Sequence, residues 1–441
     1  MPQRGFTTRQ VHDRGQARAH SARALPIYLT AGFSFSEYDD AAAHFGEGIG
    51  YAYTRIANPT IDAVEKALAA LEGGSQAILL ASGQAATTVA LLSLVSAGQH
   101  IVLSDHIYEG TRGLVIDVLD RFGITADFVT DIHDPQAWER AIRPETRALF
   151  AESVSNASNR LLDIPAISEV AHTHGIPLVI DNTFTTPYLL RPLELGADVV
   201  VHSASKFLSG QGHVLGGAIV DSGRFDPATG SLFPQFTSPG RRGTPSALDR
   251  AGGDARVAYA RDVVAPRFGP TISPLNAFFI GQGIETLSLR VQRQSQNALD
   301  VARWLEEQPE VASVDYIGLP SHPDYELGRR DLSAGHGSVF SITLAGGAEA
   351  ARRHIEAAEV FTHMTHLGDV RSLVLHPAST SHVLLTPSEQ ERVGVFPGTL
   401  RLSVGIEDVA DLIADLRASL DAAGVPAAPA TRQVEVDALQ V

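Results

Sequence analysis

Between residues 76 and 221 short β-branched runs alternate with stretches of helical period, and this alternation constrains the fold more than any other feature of the chain. Strands are expected at 77–81, 101–103, 126–129, 148–151, 178–180, 199–201 and 218–220, with helices at 85–96, 111–122, 135–142 and 164–174. Strands separated by helices build a sheet that is mostly parallel and covered on both faces, so the fold class is α/β. Such sheets bind ligands outside the carboxyl ends of their strands. Four polar clusters fall there: Ser82-Gly83-Gln84, residues 152–156, Asp181-Asn182-Thr183, and Ser203 to Lys206.

Basic residues are almost all arginine. Of 34 only Lys66 and Lys206 are lysine, so each lysine invites a reason. An arginine is effectively never deprotonated near neutral pH, whereas a lysine amine can be, and then forms Schiff bases or acts as a base. Lys66 lies in a helical pattern, 61–71, capped by Thr60 and stopped by Gly73-Gly74, and reads as part of a solvated face. Lys206 follows the apolar run Asp198-Val-Val-Val-His-Ser203, sits among small hydroxyl residues, and precedes a glycine-rich stretch.

The remaining composition excludes several classes. No cysteine is present, which removes disulfides, iron–sulfur clusters and cysteine nucleophiles and leaves the cytoplasm as the default compartment. The longest apolar stretch, 85–97, is shorter than the roughly 18 residues of a membrane span, and a net charge of −16 disfavours non-specific nucleic-acid binding. Residues 222–270, rich in Gly, Pro and Arg, read as a long connection with one helix. Beyond it, a helix at 284–307, strands at 311–317 and 338–344 and a helix at 408–423 indicate a smaller α+β domain. The expected organisation is an arm at 1–60 that contacts a neighbouring subunit, a large domain at 61–260, a small domain at 261–423 and a frayed tail at 424–441. No internal repeat is visible.

The turn at 82–84 opening a helix offers backbone N–H groups to a phosphate. Asp181 ends an apolar strand, where a carboxylate wants a cation. A lysine Schiff base with an aspartate beneath a protonated ring nitrogen is the pairing that pyridoxal phosphate requires. Read singly, each piece has a structural alternative: Asp181 as a turn cap, the serines as strand ends.

Five ordered motifs carry a resemblance across nearly the whole chain: Tyr51-Ala-Tyr-Thr-Arg-Ile-Ala-Asn-Pro-Thr60, Ala81-Ser-Gly-Gln-Ala-Ala86, Asp181-Asn-Thr-Phe-Thr-Thr-Pro187, His202-Ser-Ala-Ser-Lys-Phe207 and Arg401-Leu-Ser-Val-Gly-Ile-Glu-Asp408. The sequence resembles the Cys/Met-metabolism (trans-sulfuration) family of fold-type I pyridoxal 5'-phosphate enzymes, whose fold is aspartate-aminotransferase-like. That resemblance implies that Lys206 carries the cofactor and Asp181 keeps its ring nitrogen protonated. It implies that Ser82, Gly83, Gln84, Thr183, Ser203 and Ser205 line the cofactor site, several of them on its phosphate. Tyr53 and Arg55 are expected to reach that phosphate from a second subunit, making the enzyme a homo-oligomer, a dimer at least and by resemblance a tetramer. Tyr108 is expected to stack on the ring and serve as an acid/base, Asn156 to lie beside the ring hydroxyl, and Arg401 to clamp the substrate carboxylate with Ser372 close by.

Within the family, the segments 367–382, 272–280 and 318–323 resemble O-acetylhomoserine sulfhydrylases, which implies γ-replacement with sulfide or a thiol in methionine biosynthesis. Gly110 stands where methionine γ-lyases carry a cysteine. Departures from the family pattern are Ser205 for Thr, Ala157 for Pro, Glu109 for Gly, and the run Ser209-Gly-Gln-Gly-His213, closer to O-succinylhomoserine sulfhydrylases. A γ-lyase or cystathionine γ-synthase activity stays open at this stage. Two weaker readings compete. Gly210-x-Gly212-x-x-x-Gly216 is a poor dinucleotide fingerprint because it opens no helix after a first strand, and the pairs His172/His174 and His363/His366 lack a recognisable metal-ligand set. A cofactor-binding protein without turnover is the non-enzymatic alternative.

Overall fold

The computed structural model describes residues 4–13, 22–46, 50–226, 228 and 231–424. The tail expected at 424–441 falls, apart from Gly424, outside the described residues.

Seven strands form the larger sheet: β1 (Gln76–Leu80), β2 (His100–Ser104), β3 (Thr125–Val129), β4 (Thr146–Glu152), β5 (Leu178–Asp181), β6 (Val199–His202) and β7 (Gly217–Asp221). Their order is β1-β7-β6-β5-β4-β2-β3, with β7 antiparallel to both neighbours and every other pairing parallel. The mostly parallel α/β sheet expected from the alternation is therefore present. Strands β1 to β6 all end at one edge, and β7 begins there, which gathers the polar clusters. A Cβ at Gly217 would stand 1.9 Å from the Ser82 carbonyl oxygen, so only glycine lets β7 start this close to the turn after β1.

Helix Gly83–Leu94 points its N-terminus at the same edge, with Ser82 Oγ accepting the Ala85 N–H at 3.1 Å. Helix Pro59–Glu72 starts earlier than the sequence pattern suggests. Its cap is Asn58, whose side chain accepts the Thr60 N–H, while the Thr60 hydroxyl donates to Pro26 O at 2.8 Å. Gly73, at φ 75°, ends it as expected. Lys66 pairs with Asp62 at 2.8 Å on the solvated face. At the helix end buried Glu72 accepts from Asn182 Nδ2 at 3.0 Å and lies 2.6 Å from His202 Nε2, tying the ends of β5 and β6 to one carboxylate.

The connection after β7 holds more helix than expected: Pro234–Thr237, Ala247–Ala251, Ala255–Tyr259 and Ala265–Phe268, the last two joined by a π stretch at Ala260–Val264, with Gly252-Gly253 breaking the run before them. Arg256 anchors it, donating to both Asp221 oxygens at 2.7 and 2.8 Å and to Asp198 O at 2.9 Å, all buried. The helix expected at 284–307 is present as Leu287–Glu306, and a further helix, Pro274–Ile284, precedes it across a short break. The Gly283 carbonyl exposed by this break is satisfied by Arg290 Nη2 at 2.7 Å. The helix expected at 111–122 is α-helical only from Glu109 to Gly113 and continues as a wider π turn, Leu114–Leu119.

Five strands build the smaller sheet: β8 (Val311–Asp315), β9 (Val339–Leu344), β10 (Thr362–His363), β11 (Leu373–Leu375) and β12 (Thr399–Ser403), in the order β10-β11-β12-β9-β8. Helices Leu287–Glu306, Gly347–Ala357 and Val409–Ala423 cover it. The two apolar cores meet along Leu287–Glu306: Leu287 and Val291 belong to the first, Ala298 to Leu305 to the second. Among the described residues no helix is long and apolar enough to cross a membrane.

Removing one partner of the buried Arg256–Asp221 pair leaves an unpaired buried charge, which costs about 3–5 kcal/mol. Asp221→Ala is expected to lower stability by that amount, read from the midpoint of urea unfolding; a loss below about 1 kcal/mol would mean that the pair behaves like a surface contact.

Candidate active site at the carboxyl edge of the large sheet

Parallel pairing places Glu152, the last residue of β4, directly beside Asp181, the last of β5. Neither carboxylate forms an ion pair among the described residues. Asp181 Oδ1 accepts the Thr183 N–H at 2.9 Å and the Thr183 hydroxyl at 2.5 Å. That hydroxyl oxygen also accepts the Ser203 N–H at 2.8 Å, linking Asp181 to the Lys206 loop. Burial pushes the Asp181 carboxyl up, against the pull of the Thr183 bonds. Glu152 is pushed up as well, by burial first and then by the neighbouring Asp181. Its Oε1 accepts the Tyr108 N–H at 2.6 Å and its Oε2 the Asn156 N–H at 3.1 Å, so one carboxylate sets the loops after β2 and β4.

Lys206 projects from the loop after β6, its Nζ 3.0 Å from His366 Nδ1. Burial, helped by the charge of Arg401, lowers its amine to about 8. Arg401, on β12, crosses from the small sheet. Its Nη1 donates to Asn156 Oδ1 at 3.1 Å and its Nη2 to the backbone oxygens of His366 at 3.1 Å and Thr365 at 3.4 Å. The guanidinium is 3% exposed and touches no carboxylate, and its Nε–H has no acceptor among the described residues. Burial lowers Arg401 to about 10, with Tyr108 pulling the other way.

Several expected residues already hold partners within the chain. The Ser205 hydroxyl donates to Gly216 O at 3.1 Å and accepts Gly216 N–H at 3.0 Å, so its proton is already engaged. The Ser372 hydroxyl donates to Glu407 at 3.0 Å and accepts from Gly405 N–H at 2.9 Å, with no bond to Arg401. The Gln84 side chain donates to Gly110 O at 2.6 Å, leaving the backbone at the helix N-terminus to face a ligand. Ser203 Oγ makes no hydrogen bond among the described residues, and a Cβ on Gly83 would stand 2.7 Å from the Ser203 Cβ, so turn and Lys206 loop close on one another. Tyr53 and Arg55 stand apart from this cluster: Arg55 donates to Pro266 O at 2.6 Å and lies over the exposed Tyr53 ring. The Glu109 carboxylate lies 3.5 Å from Arg112, itself bound to Asp105. The Asn156–Ala157 peptide is cis.

The model of the Cys/Met metabolism PLP-dependent enzymes matches residues 7–421. The chain belongs to that family. O-acetyl-L-homoserine sulfhydrylase of Corynebacterium glutamicum is 42% identical over 423 residues, covering 93% of this chain and 96% of the relative. O-succinylhomoserine sulfhydrylase of Pseudomonas aeruginosa is 40% identical over 397 residues, 90% of each chain. A crystal structure described as an O-acetylhomoserine (thiol)-lyase from Campylobacter jejuni, with a pyridoxyl-lysine phosphate in its chain, superposes with a TM-score of 0.92 at 34% identity, covering 95% of this chain and all of that one.

The residues present fit the family's cofactor. Two adjacent carboxyls without a cation suit a protonated ring nitrogen, a depressed lysine amine suits a carbonyl, and the free hydroxyl of Ser203 beside a helix N-terminus suits a phosphate. Sequence reading missed His366 as a member of the site. Its only signal was the pair His363/His366, weighed as a metal motif; among the described residues no group of three metal-ligating side chains exists. Gly110 is shaped by Tyr108: a Cβ there would stand 2.3 Å from the tyrosine Cε1. Gly110→Ala is therefore expected to displace the ring and lower kcat/KM at least about tenfold, or ~1.4 kcal/mol, with the thermal midpoint nearly unchanged; full activity would mean that the ring position is dispensable.

Proposed function

We propose that this protein catalyses γ-replacement on an O-acylated homoserine, O-acetylhomoserine foremost, with sulfide as nucleophile and homocysteine as product. The observation that carries the reading is Lys206: one of two lysines in the chain, its amine depressed, beyond the carboxyl end of β6 and within the field of a buried, carboxylate-free arginine. The names of the relatives at 40–42% identity support the same chemistry.

In this reading Lys206 holds the cofactor, Asp181 keeps its ring nitrogen protonated, and Tyr108 stacks on the ring, with Asn156 beside it. The backbone of Gly83 and Gln84 with the hydroxyls of Ser82 and Ser203 takes the phosphate; Ser205 supports the loop from behind. When bound, pyridoxal phosphate supplies an electron sink that makes the protons on the α and β carbons of the amino acid removable. Arg401 receives the substrate carboxylate on its unpartnered Nε–H side. Lys206, once free, takes the α proton and then a β proton; acetate leaves the γ carbon, sulfide adds there, and the amine returns a proton to the β carbon and then to the α carbon, which leaves homocysteine.

The lysine must be neutral to act, so kcat is expected to rise through about pH 8, while Arg401 keeps its charge to about 10. A pH profile of kcat checks this, and a flat profile between pH 6 and 9 would contradict the assigned base. The decisive assay adds O-acetylhomoserine with and without sulfide. Homocysteine formed only with sulfide supports replacement, and release of ammonia and a keto acid without it makes the enzyme a γ-lyase. The run 209–213 and the Pseudomonas aeruginosa relative favour a second reading, the succinyl ester; kcat/KM for the two esters decides between them.

The enzyme in this reading works in the cytoplasm as a homo-oligomer, at least a dimer, in which Tyr53 and Arg55 of one copy complete the phosphate site of the other. Arg55→Ala is expected to weaken cofactor retention about tenfold, the worth of a charge-assisted bond to phosphate. Equilibrium dialysis measures it, and unchanged retention would leave Arg55 outside the site.

A further inference from the structure

His366 belongs to the small domain and Lys206 to the large one, 160 residues apart in sequence. Their contact is the end of a longer seam between two loops. Gly368, at φ 71°, presses on Phe207 so closely that a Cβ would stand 2.8 Å from the Phe207 nitrogen. Val370 N–H donates to Gly210 O at 3.0 Å, and Arg371 Nη2 to Gln211 O at 3.0 Å. Gly368 N–H is held by Ser403 Oγ at 2.9 Å, and Asp369 O by Gln294 Nε2 at 2.7 Å. The imidazole therefore meets the amine from a fixed backbone, and the His366 carbonyl is itself gripped by Arg401.

Toward an ammonium at Lys206, which can only donate, Nδ1 accepts and the proton of the neutral ring sits on Nε2. The charged groups facing it are Lys206, Arg401, Arg371 and Asp369; burial and the three cations hold the ring well below its ordinary range, at about 4. Nε2 is buried and has no partner among the described residues, so nothing else fixes the ring. Among those residues no other side chain hydrogen-bonds Lys206 Nζ.

From this geometry we infer that His366 is a positioning residue for Lys206, holding the ε-amine through Nδ1 whenever that amine is not covalently engaged, so that a long side chain with many rotamers waits in one place to take up a proton. The inference rests on Lys206 being the cofactor lysine and adds to that assignment the group that steers it.

The chain's two lysines make the test direct. In the full-length protein freed of cofactor, cyanate carbamylates neutral amines, and peptide mapping reads Lys206 and Lys66 separately, Lys66 serving as the internal reference. Loss of an acceptor in an apolar setting disfavours the ammonium, so His366→Phe is expected to move the Lys206 reaction midpoint down from about 8 by about one pH unit. His366→Asn, which keeps an acceptor, is expected to restore most of the shift, with Lys66 unchanged in both. In the loaded enzyme His366→Phe should lower kcat about tenfold with KM little altered. A Lys206 midpoint in His366→Phe that stays or rises would overturn the inference, as would an Asn variant no better than Phe. Borohydride reduction of the loaded enzyme keeps the two assignments apart: a cofactor fixed to the Lys206 peptide upholds the lysine whatever His366 does, and a label elsewhere overturns the lysine itself.

Discussion

The site depends on two carboxyls that the sheet forces together. Parallel pairing of β4 with β5 aligns Glu152 with Asp181, and no cation of the chain reaches either among the described residues. Two like charges a strand spacing apart in a shielded place cannot both ionise freely. Glu152 settles by accepting two backbone N–H groups, and Asp181 by accepting from Thr183, so neither has a cation to balance it. A chain that keeps such a pair is built to receive a cation, which a protonated pyridine ring supplies. The same bonds fix Tyr108, Asn156 and Ser203, so the demand for a cation and the placement of the surrounding groups share one origin.

The second constraint is the seam between the two domains. Arg401 comes from the small sheet, yet its donors end on Asn156, in the loop after β4 of the large one, and on the loop carrying His366, which Lys206 also meets. A buried guanidinium without a carboxylate is costly unless a ligand completes it. The arginine and the carboxyl pair, joined through Asn156, thus leave opposite charges unbalanced near one another, complementary to a zwitterionic amino acid joined to a cationic ring.

Much of this was legible in the residues. The β-branched runs marked all seven strands of the large sheet because buried parallel strands need continuous apolar sequence, and the polar clusters after them marked the edge. Lys206 stood out because arginine had replaced almost every other lysine. What stayed hidden depends on contacts between distant segments. Nothing near Ser205 announces that Gly216, at the start of β7, occupies its hydroxyl, and nothing near Ser372 announces Glu407. His366 meets Lys206 only when the two loops dock. Strands β10 and β11 span two and three residues, too short for a period to register. Thr60 looked like the cap because it is the hydroxyl nearest the apolar pattern, but Pro59 had already started the helix and left Asn58 to cap it.

Asp181 is the group whose demand for a cation is most directly measurable. Titrating cofactor-free protein with pyridoxal phosphate at neutral pH, for the unaltered chain and for Asp181→Asn, measures that demand directly. Removing one partner of a shielded charge pair costs several kcal/mol, so the variant is expected to bind at least about a hundredfold more weakly. Equal affinity would mean that the carboxyl pair does not hold the ring, and that the site is organised around some other contact.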